Sequence, residues 1–330
     1  KLLIYFGAQT LMNLLAKSIL SQQFVSQQNP RLEGVPAPFL FTAVQQMTVM
    51  LLFGCMLSLG RAGTVPYVPK ALESWSDGLR MCIFGVSFGM NIGFNNLSLS
   101  LLPLSVNLMI RSCLPLFVYV MQQGYNKFVE HEPLECNMME VVTMVVGVAC
   151  ACMVVVASGS VVDDRSSSFW VGVLCGILSL FSGAVNLVLA GVLGGQGMNS
   201  IDSAGYSSLP VFLLCLFPFL FLRHPVNHWY TVEGFPDTQA RTDLNILRVA
   251  MDRGPHMFLA LFALCPLTFA YNISQIWLVQ KMSATCAACA SNVNKTATIA
   301  LAMAIGWERF PSGPLVAGGR FVGWDWLKAA

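Results

Sequence analysis

In LSLSLLPLSVNLMIRSCLPLFVYV (97–120) a single charged residue, Arg111, sits mid-way along an otherwise uncharged apolar run. Crossing a bilayer as a helix takes about 20 such residues, and this run is long enough. A second stretch, SATCAACASNVNKTATIALAMAIGW (283–307), places Lys295 in the same way. A cation at mid-bilayer depth costs about 2.5–3.5 kcal/mol on insertion scales. Two of them, with no buried acid nearby, point to an anion held between them.

Working outward, the chain has 330 residues, of which 55% are hydrophobic and only 10% charged. Soluble domains carry about 25% charged residues, so these values, with a mean hydropathy of +0.65, mean a polytopic membrane protein. The net charge of +2 says little about partners, and no Lys/Arg-rich block suggests nucleic acid. The chain opens at Lys1 into an apolar run too long, and too polar in its middle, for a cleaved signal peptide.

Hydropathy predicts spans near 2–25, 37–60, 79–101, 103–122, 138–159, 169–193, 206–222, 256–280 and 284–306. A tenth segment from about 311 contains Arg320, Asp325 and Lys328, so it is expected to be short or truncated. The fold class is thus an all-α membrane protein of about ten transmembrane helices. The loop at 223–255 is the longest, with a short extramembrane helix expected around 239–250. Five spans precede the turn at 160–168 and up to five follow it. An odd number per half inverts the second half, so residues 1–160 and 161–330 read as a five-plus-five inverted repeat. Arg61, Lys70, Arg80, Lys127 and Lys281 fall in loops on the N-terminal side, which puts the N-terminus in the cytosol.

Helical spacing gathers polar groups around each cation. Asn107 lies four residues before Arg111; Asn292 lies three before Lys295, and Thr296 follows it. An arginine fork and a compact ammonium, with amide and hydroxyl donors, suit a phosphate. Lys17, four residues after Asn13, reads equally as a third site cation or as a side chain reaching the headgroups. Tyr271-Asn272, inside the eighth span, reads equally as a pocket wall or as packing.

No Asp, Glu or His is expected inside any span, which counts against proton coupling, hydrolysis and metal chemistry alike. Cys286 and Cys289 form a CxxC without a second pair, and HPVNH (224–228) lacks a partner ligand. No catalytic residue, metal site or cofactor is expected, and the chain does not read as an enzyme. With a positive site and no proton carrier, exchange of one anion for another is expected.

NNLSLSLLPLSVNLMIRSCLP (95–115), YNISQIWLVQKMSATCAACASNVNKT (271–296), and Asn13-x-x-x-Lys17 followed by VPAPFLFTAVQQ (35–46) resemble the nucleotide-sugar transporter and triose-phosphate translocator branch of the drug/metabolite transporter superfamily. The resemblance implies ten helices in the five-plus-five arrangement and antiport of a phosphorylated solute. Plastid phosphate translocators carry Lys-Arg where this chain has Lys295-Thr296, which favours the nucleotide-sugar branch. In GDP-sugar transporters a Gly-x-Leu-Asn-Lys motif occupies the region where this chain has Ser291 and Val293, leaving the base open. The implied activity is exchange of a cytosolic nucleotide sugar for a nucleoside monophosphate across the Golgi or endoplasmic reticulum membrane. Lys295, Arg111, Asn292, Thr296, Asn107, Tyr271, Asn272 and Lys17 would form the site. The partners are then those two solutes and the lipid bilayer, with room for a homodimer. A plastid-type phosphate or sugar-phosphate translocator and a non-transporting degenerate paralogue stay open as alternatives.

Overall fold

Apolar length sets where helices run, and a few polar residues set where they begin and end. The structure is a computed structural model that describes residues 2–21, 34–72, 74–130, scattered positions between 138 and 149, 167–226, 240–253 and 256–304. Its helices are α1 (Leu2–Ser21), α2 (Pro38–Arg61), α3 (Trp75–Leu101), α4 (Leu104–Ser112), α5 (Leu114–Tyr125), α6 (Ser167–Gly195), α7 (Ser200–Phe221), α8 (Asp243–Arg253), α9 (His256–Lys281) and α10 (Ala284–Ala304). Two short strands, β1 (His224–Pro225) and β2 (Ala240–Arg241), pair antiparallel between α7 and α8.

With α4 and α5 counted as one crossing, six helices among the described residues are long and apolar enough to cross a membrane. α3 and α10 have the length but not the hydropathy. Asn91, Asn95 and Asn96 in one, and Asn292, Asn294 and Lys295 in the other, take the place of apolar residues. Which side faces outward agrees with a lipid setting. On α7, Leu209, Leu213, Phe217 and Phe221 are exposed, while Ser203, Ser207 and Ser208 on the same helix are buried. Polar groups turned inward and large apolar ones outward are what a hydrocarbon solvent demands. The chain is a largely helical membrane protein.

Close helix approach depends on missing side chains. A Cβ at Gly205 would lie 2.4 Å from the Phe53 ring, and one at Gly85 would lie 2.5 Å from Cγ of Pro210. These contacts seat α2 and α3 against α7. Gly85→Val is expected to lower stability by about 1–3 kcal/mol through overpacking. A thermal melt in detergent checks this; an unchanged midpoint would mean that α3 and α7 do not meet there.

Caps move several helix ends away from the positions hydropathy suggests. α3 begins at Trp75 rather than 79 because Ser74 and Asp77 form a reciprocal capping box. α7 begins at Ser200 rather than 206 because the Asn199 side chain accepts from the Asp202 amide at 2.8 Å. The spanning helix therefore takes in Asp202, which is fully buried, against the expectation that the spans hold no acid. The α2–α3 connection supplies its partners. Tyr67 donates its hydroxyl to Asp202, and the Lys70 amide donates to Oδ2 at 3.0 Å. Burial, then the bond to Asp202, pushes the Tyr67 phenol well above its ordinary range.

At the opposite end a second buried acid serves α2. Pro38 and Ala37 leave the first amides of α2 without a local side-chain cap. Asp243, at the start of α8, supplies it by accepting from the Phe39 and Leu40 amides, both at 2.8 Å. Its other oxygen lies 2.6 Å from Nε2 of His224, which is itself buried. His224 was expected to be an ordinary loop residue; the strand pair brings it onto Asp243. The short helix expected near 239–250 is present as α8. Most of the expected fifth span, the whole tenth segment and the divide at 160/161 lie outside the described residues.

Candidate functional site

The fourth expected span, 103–122, is interrupted at Cys113, and this interruption organises the site. Pro115 has no N–H to give to the carbonyl four residues back, which is that of Arg111. The Leu116 amide turns to Cys113 at 3.2 Å, so the Ser112 carbonyl also loses its helical partner. α10 satisfies both. Lys295 Nζ donates to the Arg111 carbonyl at 2.7 Å, and Asn292 Nδ2 donates to the Ser112 carbonyl at 2.8 Å. Lys295 also donates to Asn292 Oδ1 at 2.8 Å. The ammonium thus sits at the negative end of α4, where carbonyls offset its charge.

Lys17 is placed similarly. It donates to the carbonyls of Leu99 at 2.9 Å and Leu102 at 2.7 Å, at the turn where α3 ends. Pro103 cannot supply an amide to Leu99, so the lysine takes that role. From sequence, Lys295 shares an anion with Arg111, and Lys17 stays open between that site and the headgroups. Carbonyls at helix ends hold both lysines instead.

Arg111 is different. Its guanidinium points into a cleft between α1, α2, α3, α4 and α9. Its polar contact there is long, 3.5 Å from NH2 to Asn91 Oδ1. No carboxylate among the described residues pairs with it. Amides crowd the same cleft: Asn13 from α1, Gln45 from α2, Asn91, Asn95 and Asn96 from α3, and Asn272 and Gln275 from α9. Asn95 Oδ1 and Asn272 Nδ2 are buried without a hydrogen-bond partner. Buried polar atoms left unmade cost about 1–3 kcal/mol each, so a cleft that keeps them is poised for a polar ligand. The room left is about 30 Å³, space for water but not for a nucleotide sugar. The helices must part before a larger solute can enter.

The expected site residues therefore divide. Arg111, Tyr271 and Asn272 line the cleft. Lys295 and Asn292 lie against the α4–α5 interruption, with the ammonium on Arg111's own backbone. Asn107 is buried and donates to Ser98 Oγ at 3.0 Å, tying α4 to α3. Thr296 is exposed and bonds back to the Asn292 carbonyl at 3.2 Å, away from the cleft. Lys17 holds the end of α3, one helical turn from Asn13, which does line the cleft.

Sequence reasoning passed over Gln45, Asn91, Asn95, Thr268 and Gln275. A signal was present: Thr268, Tyr271, Asn272 and Gln275 recur at three- and four-residue steps, as do Asn91 and Asn95, so each set shares one helix face. Beside the cleft, α1 and α10 are joined by side chains. Gln9 donates to Ser291 at 3.0 Å, Asn294 donates to Gln9 at 2.8 Å, and Thr10 donates to Asn294 at 3.0 Å. This fully paired network fixes α10, and with it Lys295, against α1.

A second hollow, of about 620 Å³, opens where α5, α6 and α9 finish and α10 begins. Gln122, Tyr125, Gln196 and Gln280 line it, and none of Lys17, Arg111 and Lys295 does.

No family model matches the chain, and no curated protein matches it. A solved structure described only as the crystal structure of a protein aligns over 91% of this chain and 95% of its own, at 19% identity and a TM-score of 0.40. That likeness is too low to assign a fold or an activity.

Proposed function

We propose that the protein is an antiporter that carries a nucleotide sugar from the cytosol into the Golgi or endoplasmic reticulum lumen and returns a nucleoside monophosphate. The reading includes ten helices in a five-plus-five inverted repeat, with the cleft at the interface of the halves. One observation carries it: Arg111 faces an amide-lined cleft inside the helices without an acid to neutralise it. A bound phosphate would supply the missing charge and accept two hydrogen bonds from the guanidinium. The surrounding amides, each both donor and acceptor, suit a base and sugar hydroxyls better than they suit a bare triose phosphate. The cleft wall offers no carboxylate or imidazole among the described residues, so the returning anion, not a proton, would discharge the carrier. Transport requires the cleft to widen alternately toward each side, as in rocking of one repeat on the other.

Trans-stimulation tests the reading. Purified protein in vesicles preloaded with UMP or GMP is expected to take up labelled UDP- or GDP-sugar at least tenfold faster than in empty vesicles. Stimulation by internal inorganic phosphate or triose phosphate instead would favour a sugar-phosphate translocator, and no exchange of any of these anions would reject antiport.

A further inference from the structure

We propose that Lys295 is a positioning residue, the latch of a hinge between α4 and α5 that sets the aim of Arg111. The inference deepens the anion-transport reading and rests on it for its ligand arm. The argument starts from a backbone defect. Within one crossing helix, Pro115 removes an amide and strands the Arg111 carbonyl; the turn at Cys113 strands that of Ser112. In lipid such groups cannot borrow water, so a neighbouring helix must satisfy them. Lys295 and Asn292, three residues apart on α10, reach these two carbonyls and bond to each other.

Two consequences follow. α4 ends in a joint whose geometry depends on one ammonium, and Arg111 is the residue on that joint. The same ammonium holds the arginine's backbone while its side chain reaches the cleft. α10 is itself fixed to α1 through Gln9, Thr10, Ser291 and Asn294, so the latch ties the joint to the first helix of the chain. The direction in which Arg111 reaches the cleft, and with it the grip on a phosphate, then depends on this latch staying closed.

The test restores the missing amide. Pro115→Ala gives residue 115 an N–H able to bond the Arg111 carbonyl, which makes the ammonium dispensable there. Four proteins are compared in detergent: unaltered, Lys295→Met, Pro115→Ala and the double variant. Thermal midpoint and UMP and GMP affinity are the readouts. Lys295→Met is expected to lower the midpoint and weaken nucleotide binding at least tenfold. The double variant is expected to regain the midpoint and to bind within threefold of Pro115→Ala alone. Recovery of the midpoint without recovery of affinity would show that Lys295 grips the anion directly, and would overturn the proposal. Recovery of neither, or no effect of Lys295→Met, would overturn it too. Should the unaltered protein bind neither nucleotide, the transport reading fails, and rescue of the midpoint by Pro115→Ala still decides whether the latch exists.

Discussion

Arg111→Gln is expected to weaken binding of a phosphorylated solute by about 100-fold and to reduce exchange flux in proportion. Hydrogen bonds to a charged group contribute about 1.5–3 kcal/mol, and about 2.7 kcal/mol corresponds to a hundredfold change in affinity. Gln can replace one donor but neither the charge nor the two-pronged geometry. Arg111→Lys keeps the charge as a compact point and loses the fork, so it is expected to fall between the two. The fold should tolerate either change, because the side chain is only half-buried and its one polar contact, to Asn91, is long. Equilibrium binding of UMP and GMP, beside a thermal melt, separates lost affinity from lost fold. Unchanged affinity in Arg111→Gln would remove the anion site from this cleft.

Asp243→Ala is expected to produce the largest loss of stability, about 4 kcal/mol, from a residue that takes no part in the cleft. Its carboxylate accepts the first two free amides of α2 and faces His224. Leaving each such donor buried and unmatched costs about 1–3 kcal/mol, and buried His224 loses its partner as well. Asp243→Asn keeps an acceptor for the amides and is expected to lose about half as much. The thermal midpoint should fall by about 10 °C for the alanine variant. A fall of only a degree or two would mean that water or the headgroups satisfy the start of α2 instead. The effect should reach the cleft indirectly, since α2 carries Gln45 into it.

Much of this architecture is legible in the residues. Long apolar runs announce the spans, and the two cations interrupting such runs mark where something unusual happens. What hydropathy misreads are ends and interruptions. Asn199 and the Ser74–Asp77 box start their helices four to six residues before the apolar run does. Pro115 was visible in the quoted stretch, yet its effect depends on which neighbour answers the stranded carbonyl. The amides of the cleft were also visible, at helical spacing, but an asparagine facing a cavity and one facing another helix look alike in a sequence. Asn91 and Asn186 show the ambiguity: one lines the cleft, while the other donates to the Phe84 carbonyl at 3.4 Å.

Composition and spacing alone determined the helical membrane class, the approximate spans, and the presence of cations at depth among amides and hydroxyls. They could do so because hydrocarbon solvent restricts which residues a crossing helix can hold. Only the tertiary structure decided which cation faces a cavity. Lys17 and Lys295 are engaged by carbonyls at helix ends, and Arg111 is the one turned into the amide-lined cleft. Spacing along a helix defines neighbours on that helix, whereas a partner across helices depends on their rotation and depth, which packing sets.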